Sequence, residues 1–212
     1  MKQTPFSQVL AHFKAADPLV YQALRTVNLT DWFESRVTKD YYWHLTKNII
    51  GQQLSGKAAD TIITRCQKLV GDVLEPQVVL NIPDQSLRDA GLSWAKVKYV
   101  KDLAAKVIAG EVVLDHLDTR SDEEVIAELT KVKGIGRWTA EMFLLFTLGR
   151  EDIFSYGDLG LKKGFAKLYG HAMPTEADIA PVIARWSPYK SYGSIVLWHT
   201  LDNRERTIQE SK

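Results

Sequence analysis

A glycine turn set among basic residues, followed 22 residues later by one aspartate, holds the clearest potential for chemistry in this chain. The segment Leu129-Thr-Lys-Val-Lys-Gly-Ile-Gly-Arg-Trp-Thr-Ala140 places Gly134 and Gly136 between two helical patterns. Glycine relieves the steric limits of a tight turn and lets backbone approach a ligand closely. The second helix starts near Gly136, so its unpaired N–H groups point out of the turn and form an anion site that a DNA phosphate fits. Lys131, Lys133 and Arg137 surround it with positive charge, which gives salt-sensitive affinity without sequence preference. A plain helix–turn–helix corner with solvated lysines fits the same residues, because a lone glycine pair is weak evidence. Asp158 follows Gly157 and precedes a helical pattern from Leu159 to Tyr169. It reads as a helix N-cap or as a carboxylate offered to a reaction. The two roles are compatible, since helix N–H groups and the helix dipole both favour a negative charge there.

The elements that must hold these residues read as helices. Tyr41 to Gln52, Gly56 to Val70, Ala95 to Ala109 and Ser121 to Leu129 space their apolar residues at three and four. Pro18, Gly71, Pro76, Pro83, Gly91, Gly110, Gly170, Pro174 and Pro188 punctuate them. Ser121 with Glu124 predicts a capping box, and Asp84 and Thr175 are expected to open later helices in the same way. Val112-Val113-Leu114 is too short to imply a sheet. The expectation is an all-α chain of roughly nine to eleven helices with short connections. Its 212 residues suffice for one domain or two small ones. A net charge of +1 means that any DNA-binding face is a local basic cluster offset by acids elsewhere. The single cysteine, Cys66, excludes an intramolecular disulfide and a four-cysteine iron–sulfur cluster, and reads as a buried small apolar residue. His12, His44, His116, His171 and His199 lack the spacing of a zinc site. The start, Met1-Lys2-Gln3-Thr4-Pro5, has no apolar signal region and no long apolar run follows, so a soluble intracellular protein is expected.

Three ordered stretches together carry a resemblance. Val132-Lys-Gly-Ile-Gly-Arg-Trp-Thr-Ala-Glu141 with Asp152-Ile-Phe-Ser-Tyr-Gly-Asp-Leu-Gly-Leu-Lys-Lys-Gly-Phe165 resembles the helix-hairpin-helix Gly/Pro…Asp (HhH-GPD) signature of base-excision DNA glycosylases. With Ile49-Ile-Gly-Gln-Gln-Leu-Ser55 and Arg185-Trp-Ser-Pro-Tyr-Lys-Ser-Tyr192, it looks most like the 3-methyladenine DNA glycosylase II branch, AlkA-like and yeast MAG-like. The resemblance implies two helical subdomains flanking an active-site cleft: 41–150 with the hairpin, and 1–40 plus 151–212 with the aspartate. It implies that Asp158 stabilises the oxocarbenium-like charge at C1′ as the base departs, and orients or deprotonates the attacking water. A cationic alkylated base leaves readily and needs little acid assistance. The partner it implies is double-stranded DNA with alkylated bases, bound by a monomer without a membrane. No cofactor is required, although Thr130, Val132 and Ile135 would offer backbone carbonyls to a Na+ or K+ ion in the hairpin. The compartment implied is the cytoplasm or nucleoid in a bacterium and the nucleus in a eukaryote.

Individual positions then take roles. Lys133, Gly134, Gly136 and Arg137 would hold phosphate. Gln53 is the candidate plug for the gap left by an extruded base, and Ser55 a groove contact or the cap of the next helix. Gln53 is a polar wedge where other members use leucine. Trp198 matches a pocket aromatic, with Tyr156 a weaker candidate and Met142 standing where some relatives have a ring. Electron-poor alkylated bases stack well on such rings. Lys162, Lys163 and Lys190 could contact phosphates or simply be solvated. Bifunctional members carry a lysine two residues after the second hairpin glycine, whose amine forms a Schiff base. Here that residue is Trp138, in the core or lining the pocket, and strand-cleaving lyase activity is not expected. The reading is thus a monofunctional glycosylase for alkylated purines. A binding-only lesion-recognition module and a glycosylase for another damage class remain as alternatives.

Overall fold

Prolines and capping side chains set many of the helix ends. The computed structural model describes residues 4–27, 29, 40–71, 74–172 and 174–209, of which 202–209 by backbone only. Residues 1–3, read for a signal region, and 30–39, beside the expected boundary at 40, lie outside the described residues. Backbone packing divides the chain into two units, Met1–Arg36 with Gly149–Lys212, and Val37–Leu148.

The continuous unit contains α3 to α9. These are α3 (Tyr41–Gly51), α4 (Gly56–Val70), α5 (Pro76–Asn81), α6 (Asp84–Asp89), α7 (Trp94–Ile108), α8 (Asp122–Leu129) and α9 (Arg137–Phe146), with a 3-10 turn at Leu117–Thr119. Leu45, Ile49, Leu103, Leu129, Phe143 and Leu144 are among its fully buried side chains. Ser121 caps α8 in the predicted capping box, its backbone N–H donating to Glu124 at 2.8 Å. Asp84 departs from expectation. Pro83 occupies the cap position, and Asp84, the first helical residue, pairs instead with Lys101 of α7. Cys66 is the single buried residue of α4, and burial pushes its thiol up to about 11. Such a thiol is an inert apolar filler.

The discontinuous unit contains α1 (Phe6–Ala16), α2 (Pro18–Leu24), α10 (Leu159–Tyr169), α11 (Glu176–Ala184) and α12 (Lys190–Gln209). Trp186 lies at its centre with Phe13, Phe154, Ile183 and Ile195. Asp17 ties the N-terminal helices in: it caps α2 and accepts from Trp186 Nε1 at 2.9 Å and from the Tyr169 hydroxyl. Both tyrosine and tryptophan need such a partner when buried. Thr175 caps α11 with Asp178 as predicted. The twelve α-helices among the described residues exceed the expected range because the proline-opened pieces α5 and α6 are only six residues each, too short for periodicity to show. No strand occurs among the described residues, and none of the helices is long and apolar enough to cross a membrane.

Candidate active site and nucleic-acid interface

Asp158 both caps a helix and is buried. It stands at the N-cap of α10, 8% exposed, and its Oδ1 accepts from the Leu161 N–H at 2.7 Å. A second donor comes from α12: Trp198 Nε1 reaches the same oxygen at 3.1 Å. A carboxylate taken out of water is costly unless hydrogen bonds replace its hydration, and these two donors supply that replacement on one oxygen. The indole fits because residue 160 is glycine. A Cβ there would lie 3.0 Å from Asp158 Oδ1, Trp198 Cδ1 and Trp198 Nε1 alike. One turn on, a Cβ at Gly164 would stand 2.3 Å from the Leu197 carbonyl, so α10 and α12 meet backbone to backbone. That close approach sets where Trp198 lies.

Tyr156, half-buried, packs edge-on against Phe154 with ring centres 4.9 Å apart. Burial, and then the charge of Glu176, hold its hydroxyl above the usual tyrosine range. Lys163 is exposed on α10, whereas Lys190 is engaged by Asp152 at 3.2 Å.

In the other unit, the hairpin runs from α8 through Thr130–Gly136 into α9. Val132 and Ile135 bury their side chains and anchor it. Gly134 has φ +84, and a Cβ there would collide with the Tyr99 ring of α7 at 2.2 Å. Position 134 therefore requires glycine twice over. Gly136 differs: it is extended (φ −94), and a Cβ would meet no protein atom within 4 Å. Internal packing gives no reason for a glycine there.

The basic residues of the hairpin are not simply solvated. Arg137 grips Glu123 with both terminal nitrogens, at 2.6 and 3.1 Å, and Glu141 with Nε at 2.9 Å. Its hydrogen bond to Glu123 holds that carboxyl below its usual range. Asp102 accepts the Lys133 N–H at 2.8 Å and pairs with the Lys133 and Lys106 ammoniums at 3.5 and 3.3 Å. Lys131 pairs with Glu128 at 2.7 Å. Local sequence showed the cations and missed these acids, three of which come from outside the hairpin turn on α7 and α8.

Thr130, Val132 and Ile135 present neutral backbone oxygens, hard donors suited to a monovalent cation. The Val132 oxygen also accepts the Ile135 N–H at 3.1 Å. Among the described residues no cluster of three or more His, Cys, Asp or Glu side chains offers a site for another metal.

The end of α3, the loop that follows it and the first turns of α9 line an open hollow of about 300 Å³. It brings Gln53, Trp138 and Met142 together with Lys47, Asn48, Gln52, Leu54 and Thr139. Trp138 is 45% exposed, so the core-packing alternative for it does not hold. Gln53 is exposed with φ +58, a left-handed conformation that non-glycine residues rarely adopt. Ser55 occupies the N-cap position of α4, but its hydroxyl makes no capping bond and the residue is exposed.

Comparison with known proteins identifies the family. The signature of the "HhH-GPD superfamily base excision DNA repair protein" family matches residues 46–188. DNA-3-methyladenine glycosylase 1 of Schizosaccharomyces pombe is 31% identical over 166 residues, 76% of this chain and 73% of that protein. The DNA-3-methyladenine glycosylase of Saccharomyces cerevisiae is 33% identical over 175 residues, 76% of this chain but 59% of its own length. Among solved structures, the S. pombe 3-methyladenine DNA glycosylase in complex with abasic DNA superposes with a TM-score of 0.82 at 27% identity, over 91% of this chain and 96% of that one. With its glycine hairpin, its buried Asp158 and these relatives, the chain belongs to the HhH-GPD superfamily of base excision DNA repair proteins, in the 3-methyladenine DNA glycosylase branch.

Proposed function

We propose that the protein is a monofunctional DNA glycosylase that hydrolyses the N-glycosidic bond of alkylated purines, of the 3-methyladenine and 7-methylguanine type, in duplex DNA. The observation that carries this reading is Asp158, a buried carboxylate held by two N–H donors on one oxygen. As the bond from C1′ to the base nitrogen breaks, its electron pair leaves with the cationic base, which departs neutral, and positive charge builds on the sugar. A fixed negative group beside C1′ stabilises that charge without reorganising. Water then adds to C1′ and loses a proton, leaving an abasic site. The names of these three relatives, each a 3-methyladenine DNA glycosylase, support the substrate class.

Trp138 supports hydrolysis without strand cleavage, because an indole has no amine for a Schiff base. Its exposed ring beside Met142 offers a stacking face for an electron-poor base. Gly134, Gly136, Lys133, Arg137, Ser55 and Lys163 are the proposed backbone contacts, with Gln53 filling the vacated base position. A Na+ or K+ ion held by the carbonyls of Thr130, Val132 and Ile135 would add charge for phosphate binding, and the reaction requires no other cofactor. The protein acts in this reading as a monomer.

The test incubates the protein with duplexes containing 3-methyladenine, 7-methylguanine, ethenoadenine or hypoxanthine. Release of the alkylated bases followed by alkali-dependent nicking is expected. Binding without release would replace the reading by a recognition module. Strand scission without alkali, with a borohydride-trapped adduct, would overturn the monofunctional assignment.

A further inference from the structure

The loop carrying Gln53 is held by side chains that lie far from it in sequence. Lys96, in the first turn of α7, sends its ammonium to the carbonyls of Ile50 at 2.7 Å and Gln52 at 2.6 Å. Ile50 lies in the last turn of α3 and Gln52 is its C-cap residue. A helix there runs out of N–H partners for its carbonyls, and a cation also meets the negative end of the helix dipole. The lysine itself is placed by the Ser93 cap, whose hydroxyl accepts the Lys96 N–H at 3.2 Å. Gln52 forms a second tie. Its side-chain amide donates to the Gly134 carbonyl at 2.9 Å and to Thr139 Oγ1 at 3.3 Å, joining the loop to the hairpin. The turn is closed by Leu54 N–H to Gly51 O at 3.1 Å. Between these anchors Gln53 sits at φ +58 and exposed. A disfavoured backbone conformation persists only where its surroundings over-determine it.

We propose that Lys96 is the positioning residue of the base-displacing loop: by gripping the carbonyls of Ile50 and Gln52 it holds Gln53 ready to enter the duplex. The inference rests on the glycosylase reading above, since a loop that displaces bases matters only to an enzyme that extrudes them. Burial holds the Lys96 ammonium below the ordinary lysine range, as fits a group that has exchanged water for two carbonyls. Its role belongs to extraction of the base rather than to bond cleavage. Extraction costs the pairing and stacking energy of the lesion, and least where the base has no partner.

Single-turnover release of 7-methylguanine is compared from two duplexes, one with cytosine opposite the lesion and one with a tetrahydrofuran abasic analogue opposite it. Lys96→Met keeps the aliphatic stem and removes the charge. It is expected to slow release from the paired duplex about tenfold, the scale of losing charged hydrogen bonds, and from the unpaired duplex less than twofold. Lys96→Arg restores a cation and is expected to recover most of the paired rate. Equal slowing on both duplexes, or none on the paired one, would overturn the proposal. Should Lys96→Met lose its helical circular dichroism, Lys96→Gln reads the same paired-to-unpaired ratio. Wild-type protein that releases nothing from either duplex would overturn the glycosylase reading, and the role of Lys96 with it.

Discussion

The indole nitrogen of Trp198 lies 3.1 Å from the same Asp158 oxygen that accepts the Leu161 N–H. Trp198 therefore orients the carboxylate, in addition to any stacking by its ring. Trp198→Phe keeps an aromatic ring and removes the donor. Single-turnover base release is expected to fall about tenfold, with DNA affinity unchanged, because only a hydrogen bond to a charged group is lost. An unaltered rate would show that the bond does not matter to the reaction.

Gly160→Ala tests the same geometry from the opposite side. The added methyl would press at 3.0 Å on both Asp158 Oδ1 and the Trp198 ring. In the first turn of α10 alanine favours the helix by roughly 0.5–1 kcal/mol. Release is expected to slow while the melting temperature stays level or rises. A parallel loss of stability and rate would mean that the site had only been unfolded.

Asp158→Asn removes the charge and keeps the size. Base release is expected to drop at least about 100-fold, as for other electrostatic contributors to a transition state. Binding to an abasic-analogue duplex, followed by fluorescence anisotropy, should survive. Wild-type release rates in this variant would sink the catalytic assignment.

In the proposed function Glu123, paired with Arg137, competes with DNA phosphate for it. Glu123→Gln weakens a two-nitrogen ion pair that is open to solvent. Affinity for undamaged duplex is expected to rise a few-fold, with the salt slope steeper by about one unit for one added phosphate contact. A titration at several salt concentrations reads both, and an unchanged slope would place Arg137 away from the backbone.

Asp102 predicts an acid-sensitive hairpin. Partial burial pushes its carboxyl up, but the Lys133 N–H and the Lys106 and Lys133 ammoniums outweigh this and hold it below the ordinary 3.8. A carboxyl depressed in the folded state stabilises above its unfolded value, and that stability fades as pH falls through the folded one. The melting-temperature gap between wild type and Asp102→Asn should be constant from neutral pH to about pH 5 and close below about pH 4. A gap that widens in acid would contradict the sign.

Much of this was legible in the residues themselves. The periodic segments at 56–70 and 159–169 appear as helices over those spans, because long apolar stripes leave little choice of period. The capping box at Ser121 and the cap at Asp158 are local chemistry, written within four residues. What stayed hidden is non-local. Nothing around Lys96 marks it as a clamp, since its acceptors are backbone oxygens 44 and 46 residues earlier. Nothing in the local sequence ties Asp102 to Lys133 or Glu123 to Arg137, since 31 and 14 residues separate them. The two hairpin glycines looked equivalent, yet only Gly134 is demanded by the protein's own packing.

The order of the chain bears on how the protein is made. Asp17, near the start, is satisfied by Tyr169 and Trp186, more than 150 residues later. On a ribosome the hairpin unit at 37–148 emerges before Tyr169 and Trp186, for which α1 and α2 must wait before their polar anchor has partners. A product stalled before Tyr169 would thus carry a finished hairpin unit and an unfinished half bearing Phe13 and Val20. Quality control in the cell would meet that product as a target for chaperones and proteases.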